Sequence, residues 1–272
     1  MAEPLVIGAS LTVDGLGRWR DWLWEVDRDL ELQSFHAAAV LDGDWRPLAD
    51  RARALLAGYR GRIGIHGPFL GFTIHSADPA VRAVAARRID QGLDVCAHLG
   101  ATQMVIHSPY TTWDSENLDN YPATRARVIE AVHATLGRAV QRAGTLGVEI
   151  VIENISDSQP MDRLILAESF GAAAVAVSLD TGHAHWAHRR LGAPAVDRHV
   201  QMVARRLRHV HLQDSDGAAD RHWCPGEGSV PWAAVLRALV ALPHRPRLVM
   251  ELRDDAQLKA GLAHLAATGL AR

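Results

Sequence analysis

Short apolar runs alternate with longer amphipathic ones along the whole chain. Residues 5–8 read as a first strand. Residues 18–26, with Trp19, Trp22 and Leu23 at helical spacing, read as a first helix. Residues 30–35 alternate weakly and end at His36, and 45–59 place Leu48, Ala52, Leu55 and Leu56 on one helical face. A third strand over 62–66 is stopped by Gly67-Pro68. A long helix over 79–99 follows, with Gly100 suited to its C-cap. The fourth strand, 103–107, runs up to Pro109. Then come a helix over 122–143, a strand over 148–153, a shorter helix over 162–170 and a sixth strand over 175–180. Residues 195–207 read as a helix, 207–212 contain a seventh strand, 231–239 a helix, 248–251 an eighth strand, and 256–267 a last helix.

Eight strand-then-helix units in unbroken rhythm imply parallel strands joined by right-handed crossovers. Eight such units close into a (β/α)8 TIM barrel of the α/β class. With no Pro/Ser-rich linker, low-complexity segment or clear repeat, residues 1–272 are expected to form one domain. The 48% hydrophobic content is enough for a large core.

Charge and cysteine usage narrow the partners. A net charge of -2 gives no electrostatic footprint for nucleic acid. Lys259 is the only lysine, so the basic residues are almost all arginine, which reads as a base-composition effect. Cys96 and Cys224 lie far apart and do not suggest a disulfide framework, so a reducing compartment is the default. The opening stretch, MAEPLVIGAS, has no basic region followed by an apolar one, and the chain has no run of about 18 apolar residues. A soluble, cytoplasmic protein with no membrane partner is expected.

The strand ends carry the chemistry. The third strand ends in His66, the fourth in His107 and the fifth in Glu153. The sixth ends in Asp180 with His183 three residues on, the seventh gives His211 and then Asp220 and His222, and the eighth ends in Glu251. A parallel barrel brings all C-terminal strand ends to one rim. Each group alone has a bland explanation. A strand-end histidine is usually just hydrogen-bonded. Asp180-Thr181-Gly182 fits a helix cap or turn, Glu153-Asn154 a loop start, and Asp220-Arg221-His222 a solvated cluster. Buried charges, however, are costly unless paired or metal-bound, and one shared site explains six consecutive strand ends together. Imidazole and carboxylate donors without thiolate suit zinc, manganese or iron. The most polar stretch, HLQDSDGAADRHWCPGEG (211–228), lies between the seventh strand and the helix opened by Pro231-Trp232.

These residues resemble the xylose isomerase-like TIM-barrel superfamily, which includes sugar isomerases and epimerases and the endonuclease IV (AP endonuclease family 2) enzymes. The motifs are IHGPF (65–69), VIHSP (105–109), VIENI (151–155), LDTGHA (179–184), HLQD (211–214), DRHWCPGEG (220–228) and VMEL (249–252). Endonuclease IV enzymes hold three zinc ions through nine ligands, and all nine have a match: His66, His107, Glu153, Asp180, His183, His211, Asp220, His222 and Glu251. The similar epimerases use one metal at the positions of Glu153, Asp180, His211 and Glu251. Isomerase-type members often carry a D-x-H, P-G-E-G and Trp pattern too, as in residues 220–232. The resemblance therefore implies one to three divalent ions, zinc or manganese, and leaves the reaction open.

The first reading is a metal-dependent isomerase or epimerase acting on a sugar, sugar phosphate or polyol-like molecule. Glu153 and Glu251 would move the proton, His183 and Arg221 would orient the substrate, and Trp186, Trp223 or Phe69 would wall an apolar ring face. The alternative is a zinc phosphoesterase of the endonuclease IV kind, with Glu153 bridging two ions. Against a duplex substrate, residues 36–45 contain no Arg or Lys and the segment from His211 to Asp220 is short. A silent metabolite-binding barrel is a third reading. The substrate is expected to be set by loops at 36–44, 69–78, 108–121, 155–161 and 184–194. A homo-oligomer is left open by Trp22, Trp24 and Trp113 as candidate exposed patches.

Overall fold

A computed structural model describes residues 3–171 and 174–272; Met1 and Ala2 of the opening stretch lie outside it. The elements follow as β1 (Gly8–Leu11), α1 (Val13–Trp24), β2 (Leu30–Leu32), α2 (Ala38–Asp42), α3 (Arg46–Leu55), β3 (Ile63–His66), α4 (Pro79–Leu99) and β4 (Gln103–His107). Next come α5 (Thr112–Asn117), α6 (Thr124–Leu146), β5 (Glu149–Glu153), α7 (Pro160–Ser169), β6 (Val175–Asp180), α8 (Thr181–Leu191) and α9 (Val196–Val203). The chain ends with β7 (Leu207–Leu212), α10 (Trp232–Val240), β8 (Arg247–Met250) and α11 (Leu258–Ala266). The strands pair in parallel in chain order, and β1 pairs with β8, closing a (β/α)8 TIM barrel.

Several expected boundaries move. The first strand lies at Gly8–Leu11 rather than 5–8, because Leu5 and Ile7 pair instead with the chain's last residues. The first helix starts five residues early, at Val13, because the Thr12 hydroxyl caps it by accepting from the Gly15 N–H. Residues 184–194 are not a loop: α8 fills most of them. The loops at 36–44 and 108–121 contain the short helices α2 and α5. Trp22 is buried in the core and Trp24 packs on Tyr59, whereas Trp113 is exposed. Of the three tryptophans, Trp113 alone offers an open patch.

Strand pleating sorts the residues into two sets. One set, including Ile65, Met104, Ile106, Ile150, Ile152, Val177, Leu179, Val210, Leu212 and Met250, faces the helices and builds the main apolar core. The alternate set faces the barrel axis and is far more polar than the branched aliphatic layers usual in such barrels. It includes Glu31, Gln103, His209 and Arg247 beside a small apolar group, Val105, Val151 and Ala176. Register then sets the rim: His107 sits opposite Glu153, and Asp180 opposite His211. Both cysteines are buried free thiols. Among the described residues no helix is long and apolar enough to cross a membrane.

Candidate metal centre

All nine strand-end and loop residues singled out above converge at the C-terminal mouth of the barrel. They fall into three groups: His66–His107–Glu153, Glu153–Asp180–His211–Glu251, and His183–Asp220–His222. Within each group one donor atom per residue lies within 4.8 Å of the others. Glu153 joins the first two. Its Oε1 faces His211 Nδ1 at 2.6 Å, while its Oε2 faces His66 Nε2 at 3.6 Å and His107 Nε2 at 3.7 Å. His211 Nδ1 also lies 3.5 Å from Glu251 Oε2. In the third group Asp220 lies 3.3 Å from His183 Nε2 and 3.2 Å from His222 Nε2.

Backbone carbonyls fix the histidine rings. His66 Nδ1 donates to Gly67 O at 3.1 Å, His183 Nδ1 to Asn154 O at 2.8 Å, and His222 Nδ1 to Glu251 O at 3.1 Å. Each bond leaves Nε2 as the free donor atom pointing into its group, the arrangement that metal-binding histidines adopt. Asp180 ends β6 and also caps α8, its Oδ1 accepting from the His183 N–H at 2.7 Å. The expected cap is present, and the same residue stands within the central group. His222 holds a left-handed backbone, φ 49°, rare for a residue with a side chain. Its N–H donates to Gln213 Oε1 at 3.0 Å and its carbonyl accepts from the Arg253 N–H at 3.1 Å, bonds that hold this conformation beside the site.

The electrostatics are those of a site built around positive charge. Burial alone would push the Glu153 carboxyl up, but His211, His66 and His107 outweigh it and hold it well below the ordinary carboxylate range. Burial likewise pulls His66 down, yet the neighbouring Glu153 carboxylate and the charges of Glu31 and Glu251 raise it to about 9. Burial raises Asp180 to about 6 and lowers His107 to about 3. Glu153 Oε2 and Asp180 Oδ2 are buried without a hydrogen-bond partner, a costly state for two carboxylates. A divalent cation would satisfy both, and the nitrogen and oxygen donors present fit zinc or manganese. Cys224 does not join them; its thiol is turned to the Gln257 and Pro225 carbonyls.

The remaining expected residues have mixed fates. Phe69 stacks on His107 at 4.0 Å and packs on His66 at 4.9 Å, walling the first group and a cavity of about 200 Å³ beside it. Arg221 is engaged with Asp216 at 3.0 Å and lies over the Trp223 ring. Trp186 is half-buried one helical turn beyond His183 on α8. Sequence reasoning missed a fourth group, Glu31–His209–His211, one layer below the rim. It also missed Gln33, which donates to Glu251 Oε1, and gave no roles to Asn154 and Gln213. Inward-facing polar residues at i, i+2 spacing, as in Glu31-Leu32-Gln33, were the available signal.

Comparison with known proteins joins these observations. The chain is 27% identical to a ketose 3-epimerase of Arthrobacter globiformis over 65% of its length and 58% of that relative's. It is 27% identical to a probable endonuclease 4 of Mycobacterium leprae (strain Br4923) over 68% of its length and 70% of that relative's. The chain thus spans 58% and 70% of the lengths of these two relatives. A solved structure of the TTHB071 protein from Thermus thermophilus, soaked with ZnCl2, superposes with a TM-score of 0.74 at 27% identity, covering 98% of this chain and 99% of that one. Residues 28–268 match the family model of the xylose isomerase-like TIM barrel, and the chain belongs to that family.

Proposed function

We propose that the chain is a metal-dependent isomerase or epimerase of a small sugar-like ketose or aldose. The observation that supports this most is the central group. Two buried glutamates, Glu153 and Glu251, meet at one histidine nitrogen, with Asp180 completing four donors. A divalent ion held there supplies Lewis acidity to adjacent carbonyl and hydroxyl oxygens, which acidifies the neighbouring C–H bond. One glutamate then takes the proton from that carbon and the other delivers one to the neighbouring carbon or the opposite face. His183 and Asp220 are available to hold a substrate hydroxyl, and Phe69 excludes water from one side of the site. A 27% identical relative is named a ketose 3-epimerase, and the donor set of Glu153, Asp180, His211 and Glu251 suits such chemistry.

A second reading keeps one specific observation. The two oxygens of Glu153 face different groups, and a bridging carboxylate of this kind suits phosphoester hydrolysis by paired metals. Metal counting separates the two. About one ion per chain in protein purified without chelator supports the epimerase, and two or three put the phosphoesterase ahead. A ketose panel and an abasic-site duplex form the activity arms; chelator-sensitive incision of the duplex overturns the epimerase reading. Glu153→Gln is expected to lower turnover by at least about 100-fold. Its circular dichroism spectrum should match the parent's. Retained turnover would remove Glu153 from the mechanism.

A further inference from the structure

Beneath the rim, the barrel axis holds a buried chain of polar groups that no strand-end reading explains. Glu31 on β2 is 2% exposed. Its Oε1 accepts from the Ser10 hydroxyl of β1 at 2.8 Å and lies 3.0 Å from His211 Nε2. Its Oε2 lies 3.3 Å from His209 Nε2, and the His209 Nδ1 is 2.9 Å from the Ser178 hydroxyl of β6. The carboxylate of β2 is thus met by β1 through Ser10 and by β7 through His209 and His211, and β6 reaches it only through His209. The other nitrogen of His211, Nδ1, is the one facing Glu153 and Glu251.

We propose that Glu31 is the positioning residue of the metal centre, holding the proton on His211 Nε2 so that the Nδ1 lone pair is presented to the ion. Glu31 itself is not a ligand here. The gap bordered by Glu31, His209 and Arg247 has no room for a water-sized group, and Glu31 Oε1 is in direct hydrogen-bond contact with His211 Nε2 at 3.0 Å. The Ser10 hydroxyl keeps the carboxylate from rotating away. A carboxylate on the far side of a ligating imidazole fixes its tautomer and ring orientation and makes the ligating nitrogen a stronger donor. The same contact explains a glutamate sealed inside a barrel, where an unpartnered carboxylate would be strongly destabilising.

This rests on the rim binding a divalent metal and not on which reaction follows, so failure of the epimerase reading would leave it standing. The test uses the full chain stripped of metal and titrated with zinc against a chromophoric chelator. Cobalt(II) serves as a spectroscopic probe. Glu31→Gln and Glu31→Ala are expected to weaken zinc binding by about 10–100-fold. Circular dichroism should show the metal-free fold retained, and the ligand-field bands of the cobalt form should shift. Native zinc affinity in a folded Glu31 variant overturns the proposal. So does the loss of one whole ion per chain while the remaining ions bind as tightly as before, which would make Glu31 a ligand. If both variants fail to fold, Ser10→Ala removes only the hydroxyl that anchors Glu31. A several-fold weaker zinc affinity there supports the proposal, and unchanged affinity with an unchanged cobalt spectrum overturns it.

Discussion

Asn154 shows how much of the candidate centre depends on residues outside its donor groups. Its side-chain amide donates to the Asp180 carbonyl at 3.0 Å and accepts from the Asp180 N–H at 2.8 Å. Its own carbonyl takes the His183 Nδ1–H. One buried residue directly after β5 thereby sets the backbone of Asp180 and the ring of His183. Asn154→Ala leaves both Asp180 backbone groups unpaired in the interior, which should cost about 2 kcal/mol or more of stability. Urea unfolding of the metal-free protein measures it. Zinc affinity should fall as well, and a variant as stable and as tight-binding as the parent would deny Asn154 this role. The strand-end candidates were legible because each is a charged or imidazole group closing an apolar run. Asn154 was visible in its motif, but its role depends on β5 lying beside β6 and on the reach of an amide, which no single-strand pattern encodes. Glu31 was hidden differently: it sits between two leucines in a three-residue strand, one layer below the ends that attract notice.

At the scale of elements, the misread stretch is α8. Its sequence, TGHAHWAHRRL, has few apolar residues at helical spacing and a glycine in its first turn. It folds as a helix because Asp180 caps its start and Gly192, with φ 70°, closes its end in the left-handed conformation. Gly182 has its own reason: a Cβ there would lie 2.2 Å from the Gln213 side chain, which bonds Asp180 and Asp220 at 3.1 Å each. The loop after β7 has a single hub, Asp214. Its carboxylate accepts from the Ser215, Gly226 and Val230 N–H groups and from the Trp232 indole, all between 2.8 and 3.0 Å. Gly228 leaves room for this, since a Cβ would lie 2.4 Å from Asp214 Oδ1. Asp214→Ala should therefore loosen residues 214–230 as a unit. Amide exchange at Gly226 and Val230 should quicken by at least about 10-fold, the equivalent of roughly 1.4 kcal/mol. The occupancy of the His183–Asp220–His222 group by zinc should drop, while the central group keeps its ion. Unchanged exchange at those amides would show that the flanking backbone, and not Asp214, holds the loop.

For the whole molecule, the barrel was legible because eight apolar strands recur at a spacing that only parallel crossovers satisfy. The polar character of its interior was less so, because pleating hides it among aliphatic neighbours. That interior makes stability depend on pH in two opposed ways. In the metal-free protein His66 and His222 are raised to about 9: burial lowers each, but nearby carboxylates outweigh it. A raised folded-state value means stability that is present below the unfolded value near 6.5 and is lost as pH rises through about 9. His199 on α9 behaves oppositely. It is buried in the outer core, and burial followed by the charge of Arg163 lowers it to about 3. It contributes stability above 6.5 that is lost as pH falls toward 3, on the order of 1.4 kcal/mol per pH unit. His107, also lowered to about 3, adds to that acid limb. The metal-free chain should thus be most stable near pH 6.5. Bound metal requires neutral imidazoles, so excess zinc should remove the alkaline limb and leave the contribution of His199 untouched. Chemical denaturation from pH 5 to 9, with and without zinc, measures both limbs. His199→Leu should flatten the slope between about pH 6 and 5 by close to one proton's share and leave the alkaline limb alone. An alkaline limb that persists in saturating zinc would mean that His66 and His222 stay protonated and do not bind it.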